Sequence, residues 1–145
     1  MEVAFKEFNQ ILGNINAAYH EVCVKLGISD SEFDILYILC DLGDGCNQSA
    51  IYKNSGLGKT TINSAIKKME KKGYIRIEQG TGRNTLVYLT EMGKELSAKT
   101  AERIIEIENA IFHSWSKEEQ NIFVELNKKY LEEFNERVKE MEILL

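Results

Sequence analysis

Lys59, Thr60, Thr61, Asn63, Ser64, Lys67 and Lys68 lie within ten consecutive residues, and their types suit contact with a nucleic acid. Short hydroxyl and amide side chains can reach base edges, while lysines about one turn further along meet the flanking phosphates. A second feature of this kind is Arg83, set in Gly80-Thr81-Gly82-Arg83-Asn84-Thr85. A cation on a thin glycine-rich loop can enter a minor groove, where the narrow width strengthens the negative potential.

Other residues imitate chemistry without completing it. Gly58-Lys59-Thr60 looks like the end of a phosphate-binding loop, but that motif needs a glycine where Lys53 stands, and no strand precedes it. Cys23, Cys40 and Cys46 have no metal-ligand spacing and do not form a disulfide framework. Cys40 sits in a strongly apolar helix and reads as a small core residue. Cys46, in a glycine-flanked turn, and Cys23, near a helix end, are the candidates if a thiol senses oxidants. His20 and His113 lack a carboxylate pattern that would make a metal site, and Glu132, Glu133 and Glu136 read as a solvated face. Nothing resembles a nucleophile with its base or a working pair of carboxylates. No catalytic residue, metal or cofactor is therefore expected, and the chain does not read as an enzyme.

The elements that must position the polar residues follow from periodicity. Phe8, Ile11, Leu12, Ile15, Tyr19, Val22 and Leu26 keep helical spacing up to Gly27. Ser29 and Glu32 form a capping box that starts a second helix, apolar almost all round from Phe33 to Leu42 and hence central. Two short helical patterns follow, about 48–55 and 59–72, with Gly56 and Gly58 between them. The second buries Ile62, Ala65, Ile66 and Met69 and leaves the polar residues on its other face; Gly73 ends it. The period then shortens. Ile75 and Ile77 alternate with Arg76 and Glu78, and Leu86-Val87-Tyr88-Leu89 forms a second strand, so the glycine loop joins a hairpin. Thr90 caps a helix whose spacing runs on through Leu96, Ile104, Ile107 and Ile111. Ser116 and Glu119 form another capping box. The last helix carries Ile122, Phe123, Leu126, Tyr130, Phe134, Val138, Met141 and Leu145 on one stripe. At ~1.5 Å per residue it would span about 43 Å.

The chain has 145 residues, 43% apolar and 28% charged, which suits one globular domain. It has no proline, as a mostly helical chain would. No apolar run is long enough to span a membrane, and Met1 leads into an amphipathic stretch rather than a signal peptide, so a cytoplasmic protein without membrane contact is expected. The net charge is −5, yet residues 53–99 carry ten Lys/Arg against four acids, a local +6. Such a block can be a phosphate-binding footprint, and on charge alone a solvated helix face explains it equally well. The two long terminal stripes need cover. A homodimer built from both ends would supply it, and intramolecular packing is the alternative.

A short helix, a glycine turn, a second helix with a polar basic face and a β-hairpin together make a helix-turn-helix with a wing. Here the sequence resembles the multiple-antibiotic-resistance repressor (MarR) family of winged-helix regulators over essentially its whole length. Asn47-Gln48-Ser49-Ala50-Ile51 is similar to the family's T-Q-x-x-L, and Gly56-Leu57-Gly58-Lys59-Thr60-Thr61-Ile62-Asn63 to its turn and recognition-helix start. Met69-Glu70-Lys71-Lys72-Gly73-Tyr74-Ile75 resembles L-E-x-x-G-L-I, and Leu89-Thr90-Glu91-Met92-Gly93 matches L-T-x-x-G. There are two departures. The family's D-x-R in the wing is Thr81-Gly82-Arg83 here, which removes an aspartate that would hold Arg83. Tyr52 also stands where a small residue is usual, which bears on helix spacing within the motif.

The expected fold is mainly α: a winged helix-turn-helix over 29–99, flanked by dimerisation helices at 1–28 and 100–145. The expected DNA-binding residues are Gln48, Lys59, Thr60, Thr61, Asn63, Ser64, Lys67, Lys68 and Arg83. The resemblance implies a homodimer on a palindromic double-stranded operator, most often as a repressor. It also implies a small-molecule effector, bound between the dimerisation helices and the DNA-binding lobe, that changes the separation of the recognition helices. The alternatives are a helical protein-interaction module with a basic surface and a thiol-based redox-sensing regulator.

Overall fold

The computed structural model describes residues 1–142. Their element order is α1 (Val3–Leu26), α2 (Asp30–Leu42), β1 (Cys46–Asn47), α3 (Gln48–Asn54), α4 (Lys59–Lys71), β2 (Ile75–Gln79), β3 (Thr85–Leu89), α5 (Glu91–Lys99), α6 (Ala101–Ser114) and α7 (Lys117–Glu142). The fold is mainly helical with one small antiparallel sheet, the winged-helix arrangement the sequence leads one to expect. Two compact units divide at 105/106, within α6.

In the first unit, α2 is the hub. Phe33, Ile35, Leu36, Ile38 and Leu39 are all buried on it. They share one core with Ile51 of α3, Ile62, Ala65, Ile66 and Met69 of α4, and Ile75 and Val87 of the sheet. Burying one such side chain stabilises by roughly 1.5–3 kcal/mol relative to leaving it in water. The expected core of α4 is thus the observed one, and its polar face is left outside.

Helix ends follow the capping residues. Ser29 Oγ accepts the Glu32 N–H at 3.1 Å. Glu32 does not complete a reciprocal box; its Oε1 instead receives the Ser29 hydroxyl and the Lys72 ammonium, each at 3.2 Å. At α5, Thr90 Oγ1 accepts from the Gly93 N–H at 3.1 Å. Gly93 itself has a steric reason: a Cβ there would come within 2.0 Å of the Tyr74 carbonyl oxygen. The last residue of L-T-x-x-G therefore records how closely α5 approaches the start of β2. Gly27 ends α1 at φ 71°, a left-handed conformation that an L side chain resists.

The sheet order is β1-β3-β2, all antiparallel. Ile75 pairs with Leu89 and Gln79 with Thr85, leaving residues 80–84 as the tip of the wing. The strand β1 is a correction to the sequence reading. Cys46 does not lie in a free turn; it pairs with Val87, and Asn47 with Leu86. Asp44 reinforces this edge by accepting the Leu89 N–H at 2.7 Å. A second correction is the break at Thr100 (φ −123°, ψ −90°), which separates α5 from α6 although apolar spacing continues through it. The Thr100 hydroxyl donates to the Leu96 carbonyl at 2.7 Å and occupies the acceptor at the end of α5.

In the second unit, Ser116 and Glu119 do form the reciprocal capping box, with both bonds at 3.1 Å. Hydrogen bonding to Ser116 holds the Glu119 carboxyl below its ordinary pKa. Phe112, Trp115 and Phe123 gather at the α6–α7 corner with ring centroids 5.2–6.0 Å apart. Helix α7 has no buried residue among those whose burial is described. Leu145, placed on its stripe by sequence, lies outside the described residues.

Candidate nucleic-acid interface

Helix α4 begins after Gly58, which as N-cap gives no side-chain hydrogen bond to the first turn. Thr60, Thr61, Ser64, Lys67 and Lys68 are exposed on it, and Asn63 is half-buried. Periodicity made these a single polar face, but the surroundings divide them. On one side a groove of about 270 Å³ collects Gln48 and Tyr52 of α3, Lys59 and Asn63 of α4 and Arg83 of the wing. On the other, a groove of about 430 Å³ places Thr60, Thr61, Ser64 and Lys68 opposite Ser29 and Ser31 at the start of α2. Lys67 lines neither.

The first groove brings together residues 35 positions apart in the chain, from Gln48 to Arg83. No carboxylate lines it, and two cations do. Gln48 Nε2 donates to Asn63 Oδ1 at 2.8 Å, joining the first turn of α3 to α4. Lys59 Nζ lies 5.4 Å from the centroid of the Tyr52 ring. That distance is within cation–π reach, so Tyr52 both packs against the core and orients a groove lysine. The unusual bulk at position 52 thus has a role that its departure from the family pattern did not suggest. Arg83 is exposed and has no ion-pair partner among the described residues. The hairpin beneath it is braced by Gln79 Nε2 donating to the Gly82 carbonyl at 3.0 Å.

The second groove was not anticipated. Its extra residues are Ser31 and Lys72, and Lys72 is held by the nearly buried Glu32. Sequence offered no signal for this pairing, because it joins positions 40 residues apart. The groove presents hydroxyls and Lys68 beside the N-terminus of α2, whose first turn carries Asp30 and Glu32.

The thiols correct one further expectation. Cys23, read as a candidate sensor, is buried at 3% exposure. Burial, assisted by Asp30, pushes its pKa up to about 11. Cys40, read as a core residue, is half-buried and packs against the core, with its Sγ 3.3 Å from Ser97 Oγ. Burial also raises the Cys40 and Cys46 thiols. A sensor thiol needs the opposite shift. His20 Nδ1 lies 2.9 Å from Asp30 Oδ2, tying the end of α1 to the start of α2.

Comparison with known proteins places this geometry. A sequence model described as MarR family matches residues 26–83, which run from the end of α1 to the wing tip. No curated protein sequence matches. Among solved structures, a MarR-family regulator from Neisseria meningitidis is 21% identical, with a TM-score of 0.75 over 95% of this chain and 96% of its own. A MarR/EmrR-family regulator from Acinetobacter sp. ADP1 is 25% identical, with a TM-score of 0.71 over 92% and 95%. The PcaV regulator from Streptomyces coelicolor, solved in complex with its natural ligand, is 18% identical, with a TM-score of 0.62 over 86% and 91%. The winged-helix segment is thus similar to the MarR family, and the fold is shared with MarR-family regulators over most of the chain's length.

Proposed function

We propose that this protein is a cytoplasmic, sequence-specific DNA-binding transcriptional regulator, a repressor that leaves its operator on a small-molecule or stress signal. The observation that carries this reading is the carboxylate-free groove in which Gln48, Lys59, Asn63 and Arg83 converge from α3, α4 and the wing. Helix α4 would enter a major groove, with Lys59, Asn63 and Gln48 on one flank and Thr60, Thr61, Ser64 and Lys68 on the other. Lys67 would meet a phosphate, and Arg83 would follow the backbone into the adjacent minor groove. The work is binding, and the reading needs neither a catalytic step nor a cofactor.

The protein acts as a homodimer in this reading, with helices at 1–28 and 100–145 as its dimerisation region. Ile11, Leu12 and Ile15 on α1, and Leu126, Leu131, Phe134 and Met141 on α7, are 44–59% exposed. Apolar stripes of that length on a regulator suit a second copy of the chain. Two recognition helices must then match adjacent major grooves ~34 Å apart, so a ligand that changes their separation would release the DNA. The PcaV complex supports a small-molecule effector in this fold.

The test is selection of bound sequences from randomised DNA with the purified protein. The expected result is a palindrome with fixed half-site spacing. An interaction module with a basic surface would yield no enriched sequence.

A further inference from the structure

The 2.8 Å hydrogen bond from Gln48 Nε2 to Asn63 Oδ1 does more than tie two helices. An amide is an asymmetric reader, with an acceptor on one side and two donors on the other. Which side faces DNA decides which bases Asn63 can accept. With Oδ1 turned to Gln48, Asn63 keeps Nδ2 for the groove, and Nδ2 has no protein partner among the described residues. Turning the Asn63 amide alone would set Nδ2 against Nε2, two donors face to face, so the two amides can turn over only together. We infer that Gln48 is a positioning residue for base readout: it fixes the Asn63 amide with its donor outward, so that the recognition helix selects a base edge rich in acceptors. This rests on the DNA-binding reading above and specifies what that site reads.

The consequence is directional. In the major groove guanine offers two acceptors, N7 and O6, whereas cytosine offers the N4 donor. An outward N–H therefore favours guanine over cytosine at the base opposite Asn63. Lys59 and Arg83, which line the same groove, add attraction without reversing that preference. Replacing the Gln48 amide with a carboxylate leaves an acceptor only. Asn63 must then donate to it, and Oδ1 swings outward to accept from cytosine N4.

The experiment compares operators selected from randomised DNA by the wild type, Asn63→Ala, Gln48→Ala and Gln48→Glu, with folding checked by circular dichroism. Asn63→Ala identifies the base pair, as the position in each half-site whose preference is lost. At that position the wild type should favour guanine over cytosine by about ten-fold, the scale of one good base contact. Gln48→Ala should bring the ratio near one, and Gln48→Glu should invert it. The added charge of Gln48→Glu weakens binding to every sequence alike, which the ratio cancels. A wild type that prefers cytosine there, or a ratio unchanged in both Gln48 variants, overturns the inference while leaving DNA binding intact. A wild type that enriches no sequence contradicts the proposed function itself.

Discussion

Helix α2 has 13 residues and buries six of them, including Ile35 and Leu36 at 0% exposure. Helix α7 has 26 residues, and none of those whose burial is described is buried. Both carry apolar side chains in helical register, so amphipathic pattern alone does not tell a core from a contact surface. The difference lies in what each apolar face meets. Helix α2 is packed against α3, α4 and α5. The apolar stripe on α7 is exposed. One region fixes the fold, and the other is the surface proposed above for self-association.

The same chemical change should separate the two. Leu36→Ala removes a fully buried side chain, and a cavity of that kind costs roughly 2–5 kcal/mol. Denaturant unfolding should show that loss. Leu126→Ala on α7, where the side chain is 58% exposed, should leave the unfolding of an isolated subunit nearly unchanged. Instead it should weaken self-association, read by sedimentation over a concentration series. Equal losses of subunit stability from both would erase the distinction.

Glycines give a second, smaller contrast. Gly93→Ala drives a methyl against the Tyr74 carbonyl, while a Cβ at Gly56 meets nothing within 4 Å. The first change should cost about 1–3 kcal/mol, as overpacking does, and the second should stay within about 0.5 kcal/mol. Thermal melts of the two variants check this.

The smallest expected effect concerns Cys23. Its thiol pKa is raised from 9.0 to about 11, so the folded state holds that proton more firmly than the unfolded chain does. The resulting stability is fully present below pH 9 and is lost as pH rises through about 11. Near pH 7.5 it should change nothing, and Cys23 should be the last thiol to react with a disulfide reagent, after Cys40 and Cys46. Rapid labelling of Cys23 in the folded protein would restore it as a sensor candidate.

How much of this was legible in the sequence depends on the range of the interactions. Capping residues act within one turn, so Ser29, Thr90 and Ser116 marked helix starts correctly. The hairpin was legible because its strands are neighbours in sequence. Strand β1 was not, since two residues carry no period and their partners lie about 40 positions away. The break at Thr100 was hidden because Leu96 and Ile104 remain in helical register across it. At the candidate site, residue types were legible and their grouping was not. The division of α4 into two flanks is set by the wing and by the start of α2, neither of which is adjacent in sequence.

The central claim is that α4 and the wing form a DNA-reading surface with separable parts. The most direct measurement is affinity for a selected operator and for random duplex across a salt series, comparing the wild type with Arg83→Ala and Asn63→Ala. Arg83 has no ion-pair partner, so its loss should weaken both DNAs together and lower the salt slope by about one per subunit. Asn63→Ala should cost roughly 1–3 kcal/mol on the operator while leaving random DNA and the slope nearly unchanged. If Arg83→Ala left both affinities and the slope untouched, the wing would not contact DNA and the account of this surface would be wrong.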